Sequence, residues 1–214
     1  LAKAGQFDKA LTVAGSISDD FYKALTLSKI ASELAKAGQT QKALQIFDKA
    51  FDVAGSIDFL KAFALINIAS ELAKAGQFNK AVTVAGSISD DNNKAIAFRD
   101  IASELAKAGQ TQKALLIFDK AVNVAGSISK DIAVELVEAG QFDKAVTVAG
   151  SISNDSEKAE ALSKIASELA KAGQFDKAVS VAGSIPDDSK KAWALRNIAS
   201  ELAKAGQFDK AINL

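Results

Sequence analysis

Apolar residues recur at i, i+3, i+4 and i+7 through residues 23–37, where Leu27, Ile30, Ala31 and Leu34 form one stripe of a helix. The stripe returns at 191–205 with Leu195, Ile198, Ala199 and Leu202. Ser18, Asp19 and Asp20 lie ahead of the first stripe and supply capping oxygens and helpful negative charge. Lys36 and Gly38 suit its end. This segment is helix A of a unit. A second apolar segment, helix B, follows Ala-Gly-Gln after a turn so short that the two helices must run antiparallel.

Glycine sets the period. All 13 glycines stand either in Ala-Gly-Gln or in Ala-Gly-Ser. The first series is Gly5, Gly38, Gly76, Gly109, Gly140, Gly173 and Gly206, a nearly regular succession with steps of about 31–38 residues, the period of a stacked solenoid. The distance from the first glycine of a unit to the second is constant in most units, as from Gly5 to Gly15, but it is longer by seven from Gly38 to Gly55 and from Gly109 to Gly126. Seven more residues add about two helical turns, which keeps the apolar face of helix B in phase. Short and long forms alternate over the first half, giving a larger double-unit period that carries Gly5 to Gly76 and Gly38 to Gly109. Helix A then shortens to about 129–139, with Ile132-Ala133-Val134-Glu135-Leu136 at its centre.

The fold class expected is all-α, a right-handed solenoid of antiparallel helix pairs. Residues 1–214 are read as one repeat domain, with units bounded near the seven glycines of the first series. The sequence begins in mid-motif at Leu1 and stops inside another at Leu214, which suggests a piece of a longer array.

In the long units, Ile30-Ala31, Leu34, Gly38, Ala43, Phe47 and Ala50, and again Ile101-Ala102, Leu105, Gly109, Ala114, Phe118 and Ala121, occupy the small and large packing slots of a tetratricopeptide repeat. The chain resembles that family over its whole length, with a period near its ~34 residues. It departs in the clipped helix B of the short units, in Leu27, Leu65, Phe98, Leu162 or Leu195 at the Trp slot, and in lacking the proline between repeats. A weaker resemblance, through Leu169-Ala170-Lys171-Ala172-Gly173-Gln174-Phe175-Asp176-Lys177-Ala178, is to pentatricopeptide RNA-binding repeats, whose Gly-x-x-Pro linker is missing.

Where near-identical units differ from one another, the differences concentrate in three columns of helix A. The first is Leu25, Phe63, Ile96, Glu160 and Trp193. The second, three residues on, is Ser28, Ile66, Arg99, Ser163 and Arg196, and the third is Lys29, Asn67, Asp100, Lys164 and Asn197. Each first-column residue precedes a core position by two, about 200° around the helix, so it points away from the core of its own pair. The resemblance implies that this stripe lines a concave groove, making these residues the candidate partner-binding set. Contact with the neighbouring helix A, or free variation on a solvated surface, is the competing reading for the polar members, whereas Trp193 and Phe63 favour a groove or interface role.

Other features read as structure. Lys3, Lys36, Lys74, Lys107, Lys171 and Lys204 recur at the end of helix A, with Glu138 in that slot of the shortened unit. They complement the helix dipole, and Glu33 is placed to pair with Lys36. Asp-Lys steps such as Asp143-Lys144 and Asp176-Lys177 read as charges on a solvated face. Arg99, Arg196 and Asn197 invite comparison with a tetratricopeptide carboxylate clamp, but Ser32, Ser70, Ser103, Ser167 and Ser200 stand where a clamp wants Asn. Asn154-Asp155-Ser156 fits a glycosylation sequon.

Composition narrows the chemistry. Lys plus Arg number 26 and Asp plus Glu 26, so no net field favours a phosphate backbone or an anionic membrane. The absence of Cys and His removes thiolate nucleophiles, the commonest general base and the commonest metal ligands. Single glycines form no phosphate-cradling loop. No apolar run approaches the ~20 residues that span a bilayer. The expectation is a soluble, non-enzymatic scaffold without cofactor or metal, its compartment open with a lean to the cytoplasm. Its partner would be a protein or peptide. The alternatives are a spacer or self-assembling array that stacks through uncapped ends, and single-stranded RNA binding, which zero net charge disfavours.

Overall fold

The computed structural model describes residues 1–124 and 128–214. The expected second glycine of one long unit, Gly126, lies outside them. The described residues are helical throughout, with no strand, and they fall into two compact units, Leu1–Val124 and Ala125–Leu214.

The first unit opens with a short 3-10 turn, Ala2–Ala4, and α1 (Phe7–Gly15). It continues through α2 (Asp20–Lys36), α3 (Thr40–Gly55), α4 (Lys61–Lys74), α5 (Phe78–Gly86), α6 (Asp91–Lys107) and α7 (Thr111–Val124). Here α2, α4 and α6 are the A helices. Each packs on the B helix that follows it, and α4 lies against both α2 and α6. The second unit repeats the scheme with α8 (Ser129–Glu138), α9 (Phe142–Gly150), α10 (Asp155–Lys171), α11 (Phe175–Gly183), α12 (Asp188–Lys204) and α13 (Phe208–Ile212), where α10 packs on both α8 and α12.

Local chemistry explains the boundaries. Asp19, Asp90, Asn154 and Asp187 cap α2, α6, α10 and α12, each accepting a backbone N–H three residues on at 2.7–3.0 Å. The Asn of the sequon is thus a helix cap. The segments before α4 and α8 offer Leu60 and Ile128 in that place, with no side-chain cap, and these two A helices are the short ones at 14 and 10 residues.

The two glycine series do different work. Gly76 has φ +73°, its N–H reaches Ala73 O at 2.9 Å, and Gln77 N–H reaches Leu72 O at 2.8 Å, the paired bonds of a Schellman turn. Gly86, by contrast, is the last residue of α5 with right-handed backbone and open space where a Cβ would stand. The serine after it closes the helix: Ser87 Oγ donates to Val84 O at 2.7 Å, and Ser16, Ser56, Ser151 and Ser184 repeat the bond. Gly76→Ala should therefore cost about 1–2 kcal/mol, while Gly86→Ala should add about 0.4–1 kcal/mol of stability by restricting the unfolded chain. Urea unfolding midpoints that move in opposite directions are the expected outcome.

The core is built of small and large pairs. Ala31, Ala69, Ala102 and Ala166 are fully buried beside Leu34, Leu72, Leu105 and Leu169, which lets the A helices approach closely. Phe47 and Phe118, one double-unit period apart, are the bulkiest fully buried side chains and stand on the two extended B helices.

Candidate functional site

The A helices expose the first variable column unevenly. Phe63 and Trp193 are 56% and 47% exposed, and Glu160 is exposed, whereas Leu25 and Ile96 are half-buried. These positions point out of the pair, and the two aromatics present apolar area to solvent.

The polar columns are largely engaged between A helices. Ser28 is buried and its Oγ donates to Asn67 Oδ1 at 2.8 Å, joining α2 to α4. Ser70 donates to Asp100 Oδ2 at 3.1 Å, joining α4 to α6, and Arg99 Nη2 sits 2.8 Å from the other oxygen of the same carboxylate. In the second unit Asn197 Nδ2 donates to Ser167 Oγ at 3.3 Å, which in turn donates to Ser163 O at 3.0 Å. Lys164 lies 3.8 Å from Glu138, and Glu160 lies 3.5 Å from Lys130. Ile66 is half-buried, and Lys29 and Arg196 are exposed. The third column thus acts mainly as a seam, and the columns are not one open stripe.

One place gathers candidates into a cavity. Between α10 and α12 a groove of about 790 Å³ is lined by Glu160, Ser163, Lys164, Trp193 and Asn197, with Lys190 at its edge. Ser163, Ser167 and Asn197 in its lining are hydrogen-bonded to one another, and Trp193 is the one aromatic ring among the residues that line it. Two further lysines on its wall are neutralised locally: Lys171 is 2.7 Å from Glu168 and Lys204 is 2.7 Å from Glu201. The same i, i+3 pairing holds Lys36 to Glu33, Lys74 to Glu71 and Lys107 to Glu104. The hydrogen bond from Lys36 to Glu33, and likewise that from Lys171 to Glu168, raises the ammonium pKa above its ordinary value. Lys36, Lys74, Lys107, Lys171 and Lys204 of the lysine column are therefore held in closed ion pairs.

The B helices carry an arrangement that the Asp-Lys steps did not disclose. Asp8 pairs with Lys42 at 2.8 Å, Asp48 with Lys80, Asp143 with Lys177 at 2.7 Å and Asp176 with Lys210 at 3.8 Å. Each acid thus reaches the next B helix instead of its sequence neighbour. The hydrogen bond and charge of Lys42 hold the Asp8 carboxyl below the usual carboxylate range, so that link is intact at neutral pH and is lost as pH falls through the lowered pKa. The signal was present in the sequence as a recurrent Asp-to-Lys spacing close to one repeat.

Among the described residues no cluster of His, Cys, Asp or Glu could hold a metal, and no helix is long and apolar enough to cross a membrane.

No family model matches the chain, and no curated protein matches it. Solved structures similar to it include Ton1535 from Thermococcus onnurineus NA1, at 20% identity over 90% of this chain and 83% of that one, with a TM-score of 0.40. Another, from Podosopora anserina, is described as kinesin light chain nearly identical TPR-like repeats. It has 13% identity over 92% of this chain and 93% of that one, with a TM-score of 0.33. By its own succession of paired A and B helices, the chain is an all-helical repeat array over the described residues.

Proposed function

We propose that this chain binds a protein or peptide on the exposed faces of its A helices, with the groove between α10 and α12 as the principal site. Repeat folds of this kind are generally protein-interaction scaffolds and typically lack catalytic activity. The observation that supports the reading is Trp193: a half-exposed indole in a groove lined by hydrogen-bonded serine and asparagine offers rigid apolar area and a single N–H donor, the combination that anchors interfaces. Glu160, Ser163, Lys164 and Asn197 would fix the orientation of a bound segment. Phe63 would act similarly on α4 in the first unit, with Leu25, Ser28, Lys29, Ile66, Asn67, Ile96, Arg99 and Asp100 around it as support more than contact. Arg196 stands exposed on α12 and would meet the rim of a bound partner.

The test is affinity capture with the intact chain, Trp193→Ala and Phe63→Ala, partners being identified by mass spectrometry. Loss of an interface anchor costs at least about 2 kcal/mol, roughly thirtyfold in affinity. Trp193→Ala should therefore remove specific partners while leaving the helical spectrum intact. A partner list unchanged in both variants would overturn the assignment.

A further inference from the structure

A second groove lies on the B-helix side of the first unit, where the nine-residue α5 falls between the longer α3 and α7. It has a volume of about 780 Å³. Leu44, Val82, Leu116 and Ile117 give it an aliphatic lining, Lys80, Lys113 and Lys120 stand in its walls, and no carboxylate is among the residues that line it.

This composition departs from the plan of the array in two linked ways. By the double-unit period that carries Gly5 to Gly76, Asn79 and Lys113 are the counterparts of Asp8 and Lys42. In the earlier copy the carboxylate and the ammonium pair across α1 and α3 at 2.8 Å. In the later copy the acid has become an amide, and Lys113 turns instead to Gln110 Oε1 at 3.0 Å. The counterpart of Leu116 is Gln45, exposed on α3, whereas Leu116 itself is an aliphatic side chain left 64% exposed. One change removes a negative charge, the other adds apolar surface, and both fall on the same groove. In a chain of zero net charge this is a local excess of cations over an apolar lining.

We propose that the groove beside α5 is a docking site for an acidic, leucine-bearing peptide segment of a partner protein. Aliphatic side chains of the segment would fill the space between Leu44, Val82 and Leu116, while its carboxylates meet Lys113 and Lys120. Lys80 already holds Asp48 and contributes less. A nucleic acid fits less well, because two ammonium groups neutralise little of a phosphate backbone and the lining offers a single aromatic ring, Phe78, among aliphatic side chains where base stacking wants several. The site is separate from the groove under Trp193 and does not depend on it.

Fluorescence anisotropy with a labelled peptide of alternating leucine pairs and glutamates, at low salt, tests the proposal. The controls are the same peptide with lysine for glutamate and a labelled oligouridine. Two substitutions restore the residues of the earlier copy and so leave the fold's own pattern intact. Asn79→Asp supplies Lys113 with the carboxylate that Asp8 gives Lys42, and Leu116→Gln removes the exposed aliphatic wall. Each should weaken the acidic peptide about fivefold or more, the lysine peptide should not bind, and Trp193→Ala should leave the affinity unchanged. Failure of the acidic peptide to bind the intact chain, binding indifferent to both substitutions, or preferential binding of oligouridine would each overturn the proposal.

Discussion

Phe47→Ala is expected to destabilise the first unit by about 3–5 kcal/mol, the range for emptying a buried aromatic site that can collapse only in part. Phe47 is 1% exposed and belongs to the half of α3 that the short B helices also possess. Around it stand Ala43, Ala50 and Ala54, all buried, whose methyl groups cannot move in to fill the volume of a phenyl ring. Phe118→Ala on α7 should behave as its twin. Phe59, twelve residues along and 93% exposed, is the control: Phe59→Ala should lie within about 0.5 kcal/mol of the parent, as substitutions away from packed features do. Equilibrium urea unfolding followed by circular dichroism separates the two cases. A small effect at Phe47 would mean that α3 is not packed through this ring.

The second large effect concerns helix phase. Removing residues 40–46 turns α3 into the short form and rotates the rest of the helix by only about 20°. Phe47, Ala50 and Ala54 stay on the buried side, Gln39 still opens the helix, and Lys49 arrives where Lys42 met Asp8. The loss is the burial of Ala43 and Ile46 and part of that of Leu44 and Phe47, about 3–5 kcal/mol. Removing residues 40–44 turns the same helix by about 140°, carrying Phe47 into solvent and bringing Asp48 and Lys49 toward the core. The seven-residue deletion should therefore retain a cooperative unfolding transition at a lowered midpoint. The five-residue deletion should lose it over the first unit. Equal behaviour of the two would mean that phase does not hold this helix.

These experiments rest on features visible in the sequence, because helix phase is a local property. The 3.6-residue stripe through Leu27, Ile30, Ala31 and Leu34, the cap at Asp19, the left-handed turn at Gly38, the two-turn extension of α3 and the shortened α8 were all legible there and are all in the structure. The pairing of Lys36 with Glu33, three residues apart on one helix, was equally legible. Contacts between successive helix pairs were harder. Ser28 and Asn67 are 39 residues apart, and Ser70 and Asp100 are 30 apart. No periodicity says which polar side chain of one A helix will meet which of the next. The variable columns therefore read in sequence as one stripe, while in space the third forms a seam and the first carries the exposed aromatics. Asp143 and Asp176, read as charges on a solvated face, are indeed 85% and 96% exposed, but their links to lysines one repeat away were hidden for the same reason. The groove beside α5 depends on what Asn79 and Leu116 replace, which only alignment of the chain with itself, given the cross-helix pairs, brings out.

The polar seam bears on assembly order. Repeats this similar could dock on the wrong neighbour during folding, since their apolar faces are nearly interchangeable. The links differ from junction to junction: Ser28 with Asn67, Ser70 with Asp100, Glu138 with Lys164, Ser167 with Asn197. A misplaced helix would bring together side chains that do not match, and each buried hydroxyl or amide left without its partner costs about 1–3 kcal/mol. One partner in each link, Asn67, Asp100, Lys164 or Asn197, belongs to the third variable column, so that column distinguishes the neighbours of otherwise exchangeable helix pairs.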